Sequence, residues 1–283
     1  MRCLVAGCGY VGSALAAGLA AEGHEAFGLR RRPKGLPEGV QTIAADLCDA
    51  ATLAAAIPPD LDAVVYAVAS DARDPAAYRR AYVEGLVNLL ARLPTPGPRV
   101  IFTSSTSVYG QDDGSWVDEA SPTLPPRETG RILLEAEAAL SGSGRDFSIL
   151  RLGGIYGPGR TRLLETVRDG TARLPAEAGV YTNRIHRDDA ARALDHLVKL
   201  PSVDPVYLGV DDDPAELSEV LRWMAGRLGV PEPERSAAET AAVTGRGLRT
   251  RKRCRNRQLR ASGFELRHPT FREGYDAILT AGI

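Results

Sequence analysis

Cysteine is scarce. Cys3, Cys8, Cys48 and Cys254 are the four in 283 residues, and none stands at metal-ligand spacing from another. That excludes a disulfide-stapled scaffold and leaves no expected metal site; reduced thiols fit a cytoplasmic protein. An excess of charge of one sign is also missing. Lys and Arg number 35 against 36 Asp and Glu, a formal net charge of -1, so nothing draws the whole chain to nucleic acid or to an acidic membrane surface. No apolar run approaches the ~20 residues of a membrane-spanning helix. No basic segment followed by an apolar one precedes the first strand, so no targeting peptide is expected. His24, His196 and His268 have no partners at ligand spacing. Internal repeats and low-complexity linkers are absent too. What remains is an ordinary globular mixture, 44% hydrophobic and 25% charged, enough for one large domain or two modest ones.

The opening residues carry the clearest signal. Leu4, Val5 and Ala6 read as a buried strand, and Gly7, Gly9 and Gly12 then match G-x-G-x-x-G ahead of an alanine-rich helix from Ser13 to Ala21. Gly7 makes the tight turn, Gly9 lets a pyrophosphate approach the backbone, and Gly12 brings the helix close to the strand. Tyr10 and Val11 occupy the first turn, whose free N–H groups and positive dipole end suit phosphates. A second strand over residues 23–29 runs into Arg30, Arg31 and Arg32, with Lys34 beyond. No carboxylate stands there to accept from a ribose 2′-hydroxyl. A guanidinium fork would instead meet a 2′-phosphate, so the expected cofactor is NADP(H), with NAD(H) the alternative. Arginines touching only solvent would explain the same run.

Beyond this, strands near 42–47, 61–68, 99–105 and 147–152 alternate with helical patterns over 50–56, 78–93 and 127–140. Such alternation predicts an α/β fold, a doubly wound parallel sheet of the NAD(P)-binding Rossmann kind with its ligand at the carboxyl ends of the strands. We expect residues 1–155 to form this domain, with 181–200 returning to it. Residues 156–180 and 201–283 would form a small C-terminal substrate lobe.

Several further segments resemble the extended short-chain dehydrogenases/reductases, the group that includes nucleotide-sugar epimerases and dehydratases. They are Gly7-Cys-Gly-Tyr-Val-Gly, Asp46-Leu47, Thr103-Ser-Ser-Thr-Ser-Val-Tyr-Gly110, Arg151-Leu-Gly-Gly-Ile-Tyr-Gly-Pro-Gly-Arg160 and Asn183-Arg-Ile-His-Arg-Asp-Asp189. The resemblance implies that Asp46 and Leu47 lie near the adenine and that Ser105 bonds the substrate oxygen where hydride is gained or lost. A bland reading competes for Ser105, since hydroxyl side chains at a strand end often satisfy backbone groups. His186 is expected to be structural, with Asp188 or Asp189 near the start of a helix.

The chain departs from that family's pattern where its Tyr-x-x-x-Lys acid/base pair belongs. Here the positions are Thr129 and Leu133, no tyrosine occurs between Tyr109 and Tyr156, and lysine occurs only at Lys34, Lys199 and Lys252. Neither threonine nor leucine can move a proton at neutral pH. Tyr109, Tyr156 and Tyr181 are the candidate replacements, Tyr109 being nearest to Ser105, and core packing is the competing role for each. Gly154 replaces the asparagine that often contacts substrate phosphate. Tyr156 and Arg160 remain as candidate substrate-binding residues. The basic stretch 246–260 fits a phosphorylated substrate or a solvated face better than nucleic acid, because no aromatics interleave it.

The resulting expectation is an NAD(P)-dependent oxidoreductase or epimerase-like protein with a small-molecule substrate, phosphorylated or a nucleotide sugar. A non-catalytic NADP(H)-binding sensor is the rival, and homo-oligomerisation is left open.

Overall fold

The computed structural model describes residues 1–32, 34–72, 74–236 and 251–282. Its first half runs β1 (Arg2–Ala6), α1 (Tyr10–Ala21), β2 (Glu25–Arg30), β3 (Gln41–Ala44), α2 (Ala50–Ala54), β4 (Ala63–Tyr66), α3 (Pro75–Tyr78), α4 (Gly85–Leu90), β5 (Arg99–Ser105), β6 (Trp116–Val117) and α5 (Glu128–Ser141). Then follow β7 (Phe147–Leu152), β8 (Gly154–Tyr156), α6 (Arg162–Arg168), β9 (Arg184–His186), α7 (Arg187–Lys199), β10 (Val206–Gly209), α8 (Leu217–Leu228), β11 (Arg253–Cys254), α9 (Arg257–Ala261) and α10 (Phe271–Thr280).

Seven strands form one sheet in the order β10, β7, β5, β4, β1, β2, β3, and every pair in it is parallel. The chain builds outward from β1 through β2 to β3, then crosses back to β4 and builds the other way. The reversal opens a crevice between the carboxyl ends of β1 and β4.

Strand alternation divides the core. Leu4, Val64, Tyr66, Val100 and Phe102 face a layer closed by Leu53, Leu86, Leu89, Leu133 and Leu140. Their neighbours Cys3, Val5, Val65 and Ile101 face the opposite layer, built on Leu15, Leu19, Leu194 and Leu197 of α1 and α7. Fully burying a leucine contributes about 1.5–3 kcal/mol, so this leucine seam holds α7 beside α1 against the sheet. A third core joins α6, α8 and α10 through Leu164, Leu221, Met224, Phe271 and Ile278.

Two expectations change. Val206–Gly209 is the edge strand of the main sheet, paired with β7, and does not belong to the smaller lobe. The helix expected over 78–93 is interrupted by a π turn, Arg79–Glu84. The Tyr66 hydroxyl donates to Ala81 O at 2.5 Å, and a Cβ on Gly85 would stand 2.5 Å from that hydroxyl. A phenol from β4 therefore wedges into the rod and widens it. Among the described residues no helix is long and apolar enough to cross a membrane.

Candidate active site

The glycine loop joins β1 to α1 at the crevice. Gly7 has φ +95° and a Cβ there would lie 2.7 Å from the backbone of Ala67, while a Cβ on Gly12 would lie 2.3 Å from Gly7 O. Both positions are closed by protein. Gly9 differs: the nearest atom to its Cβ position is Gly7 O at 4.0 Å. It opens α1 without a side-chain cap, and the first intrahelical bond of that turn is Ser13 N to Gly9 O. Among the described residues the N–H groups of Tyr10, Val11 and Gly12 have no acceptor at the helix start, a cradle of the right chemistry for a pyrophosphate.

At the end of β2, Arg30 Nη1 donates to Lys34 O at 3.3 Å. Arg31 reaches across β1 to Asp71, beyond β4, at 2.5 Å. Asp46 Oδ1 accepts from Cys48 N at 2.9 Å, which folds the turn after β3. Leu47 is buried, and its carbonyl accepts from Asn88 at 3.0 Å.

The hydroxyls ending β5 point to different partners. Thr103 donates to Tyr66 O at 3.0 Å, Ser104 to Glu137 at 2.6 Å, and Ser105 Oγ accepts from Ser107 N at 3.1 Å. Ser105 therefore caps the turn that follows it and keeps its own proton available to donate.

Tyr109 does not join Ser105 at the crevice. It is 0% exposed, its hydroxyl accepts from Arg151 Nη1 at 2.7 Å, and burial pushes its pKa up to about 12. Arg151 in turn forks onto Glu137, Nη2 to Oε2 at 2.6 Å and Nε to Oε1 at 3.1 Å. Tyr109, the expected replacement acid, thus stands in a buried network with Arg151 and Glu137. Two clues lay in the sequence: a carboxylate on the apolar face of α5, and an arginine inside an apolar strand.

Tyr156 is likewise turned inward. It stacks on Tyr275 at 4.5 Å between ring centroids and meets His186 edge-on at 5.4 Å, and burial raises its pKa far above the usual phenol range. The ring expected to meet substrate is therefore packed beneath α10. Arg160 is exposed and lies over the Tyr10 ring at 4.1 Å, while the Tyr10 hydroxyl donates to Pro158 O at 2.9 Å. This brings the turn at residues 157–160 to the glycine-loop end of the crevice. Gly157 is needed there, because with φ +146° its Cβ would lie 2.9 Å from the Tyr10 hydroxyl. On α5, Leu133 is buried in the core and Thr129 is half-buried.

Spacing along the chain concealed one further cluster. His186, Asp189 and His268 place ligand-type atoms within 4.8 Å of one another. The Asp189 carboxylate is already held by Arg267 N at 2.7 Å, His268 N at 2.9 Å, His268 Nδ1 at 2.8 Å and Arg192 Nη1 at 3.0 Å. It ties α7 to the segment leading into α10. His186 itself caps α7, its Nδ1 accepting from Asp188 N at 3.3 Å, and burial pushes its pKa down to about 4. Of the basic stretch, residues 246–250 lie outside the described residues. Arg251 pairs with Glu177, and Arg260 lies 3.9 Å from Asp212.

Comparison with known proteins fits this geometry. The chain is 33% identical over 219 residues to protein YeeZ of Escherichia coli K12, covering 72% of this chain and 75% of that one. It is 27% identical over 303 residues to the 3-diazoavenalumate denitrifying reductase of a Streptomyces species, covering 97% and 99%. A solved structure from Methylobacillus flagellatus, described as an NAD-dependent epimerase/dehydratase, superposes with a TM-score of 0.82 at 36% identity over 99% of this chain and 98% of that one. Structures sharing the fold at lower identity hold NAD or NADPH. Residues 3–205 match the NAD dependent epimerase/dehydratase family, and the chain belongs to that family.

Proposed function

We propose that the protein is an NADP(H)-preferring oxidoreductase whose substrate is held beside Ser105. The observation that carries this reading is the open cradle at Gly9, closed on both sides by the glycines whose Cβ positions are filled. When bound, the nicotinamide supplies or accepts a hydride. The first-turn N–H groups of Tyr10, Val11 and Gly12 would hold the pyrophosphate, Asp46 and Leu47 would border the adenine, and Arg30 and Arg31 would meet the 2′-phosphate. The Ser105 hydroxyl would donate to the substrate oxygen as charge develops on it. Arg160, stacked on Tyr10, would steady an anionic group at the cofactor end.

A reductase is favoured over an epimerase by the near full-length relative that is named a reductase. Thr129 and Leu133, at the place of the usual acid/base pair, favour a second reading as a non-catalytic NADP(H) sensor. The two separate on one assay: NADPH oxidation followed at its absorbance band against a panel of carbonyl acids, ketones and nucleotide sugars. Turnover with any of them supports the enzyme. Tight NADPH binding with no turnover across the panel supports the sensor.

A further inference from the structure

The cradle leaves one charged patch unused, where β6 pairs with β11 and Arg253 lies opposite Trp116. The Arg253 guanidinium sits between two aromatic rings, 4.8 Å from the centroid of Trp116 and 5.0 Å from that of Tyr181. Arg255 lies over the same indole at 4.5 Å. Trp116 is 41% exposed. Among the described residues neither arginine has a carboxylate within 4.0 Å, unlike Arg251, Arg260 and Arg272 nearby in sequence.

The patch is held in place at the ligand-binding end of the sheet. Asn183 grips both sides of Arg253, Nδ2 donating to Lys252 O at 3.1 Å and Oδ1 accepting from Cys254 N at 2.7 Å. Asn183 O accepts from Gly154 N at 2.8 Å, just past the end of β7, and Lys252 Nζ donates to Tyr109 O at 2.9 Å, in the turn that follows Ser105. Arg253 and Arg255 therefore lie over the carboxyl ends of β5 and β7.

On the oxidoreductase reading, we infer that Arg253, Arg255, Trp116 and Tyr181 form the substrate anion site and that the substrate is a planar, conjugated carboxylate. Arg253 gives its Nε to Gly114 O at 2.8 Å, which leaves the two Nη groups as a single fork, and a fork matches the two oxygens of a carboxylate. A tetrahedral phosphate takes more donors. The strand's backbone adds none, because Arg253 N is bonded to Ser115 O and Arg255 N to Val117 O, each at 2.9 Å. The part of the indole left exposed beside the two guanidiniums offers aromatic surface to a conjugated body.

The test is calorimetric titration of trans-cinnamate into the full chain, with and without NADPH, against cinnamide, 3-cyclohexylpropanoate, UDP-glucose and inorganic phosphate. Cinnamate should bind about tenfold or more tightly than neutral cinnamide and than the non-planar acid. Arg253→Gln should lose about the same factor, and Arg253→Lys should not restore it, since an ammonium lacks the fork. NADPH binding by these variants should match wild type, showing that the fold is intact. Equal binding of cinnamate and cinnamide, an unaffected Arg253→Gln, or Arg253-dependent capture of UDP-glucose or phosphate in place of cinnamate overturns the inference. Wild type that binds NADPH but not cinnamate overturns it and leaves the oxidoreductase reading standing; failure of NADPH itself to bind overturns both.

Discussion

Arg31 Nη2 and Asp71 Oδ2 lie 2.5 Å apart, an ion pair thrown from the end of β2 over β1 to the loop that follows β4. The pair spans the mouth of the crevice and occupies the guanidinium proposed to read the 2′-phosphate. Asp71→Asn should release Arg31 and tighten NADPH by up to about fivefold, the scale of an exposed pair, with NADH unchanged. Fluorescence titration of both cofactors measures this. Equal tightening for both would mean that Asp71 acts elsewhere than at the 2′-position.

Ser105 and the α5 positions make opposite predictions. Ser105→Ala should lower kcat by about 10²-fold, the usual cost of one donor to a developing oxyanion. Thr129→Ala should leave kcat unchanged. Leu133→Ala, in the buried layer beneath β5, should cost about 2–5 kcal/mol of stability while turnover by the folded fraction persists. A kcat collapse in Thr129→Ala with a normal Ser105→Ala would move the site to α5.

The buried Glu137–Arg151–Tyr109 network should behave as structure. Glu137→Leu leaves the Arg151 cation buried without its partner and should cost about 3–5 kcal/mol. Tyr109→Phe removes one acceptor from Arg151 and should cost about 1–3 kcal/mol. Turnover per folded molecule should survive Tyr109→Phe. Thermal melts alongside kcat separate the effects, and loss of kcat at unchanged stability would restore Tyr109 as a proton donor.

Asp211 sets a pH dependence. It is buried, and among the described residues neither carboxylate oxygen has a partner within hydrogen-bond geometry; burial pushes its pKa well above the ordinary 3.8, against the opposing pull of Arg184 and the Asp213 backbone. The folded state therefore keeps a proton that the unfolded chain releases. Its contribution to stability is full below the unfolded pKa and is lost as pH rises toward the folded one. Asp211→Asn should raise Tm at neutral pH, and the gain should shrink as pH falls through the carboxylate range. A gain that grows toward acid would contradict this.

The glycine loop was readable because each demand on it is local: Gly7 and Gly12 answer to atoms within the β1–α1 and β1–β4 contacts, and Gly9 to a space none of them fills. The doubly wound parallel sheet followed from strand and helix alternation. Val206–Gly209 was missed because a four-residue strand among prolines carries too short a pattern to separate from a loop. Side-chain pairings across long separations left no periodic trace either. Arg151 meets Tyr109 from 42 positions away, and His268 meets Asp189 from 79, so spacing could neither assign Tyr109 to the core nor give His268 a partner.

The central claim is that Gly9 is open for a cofactor pyrophosphate whereas Gly7 and Gly12 are closed by the protein itself. It is tested most directly by titrating NADPH fluorescence against wild type and Gly9→Val, with thermal melts of both and of Gly12→Ala. The account predicts that Gly9→Val melts close to wild type and no longer binds NADPH, because its side chain fills only the space left for the ligand, while Gly12→Ala loses stability against Gly7 O. Wild-type NADPH affinity in a folded Gly9→Val would contradict it.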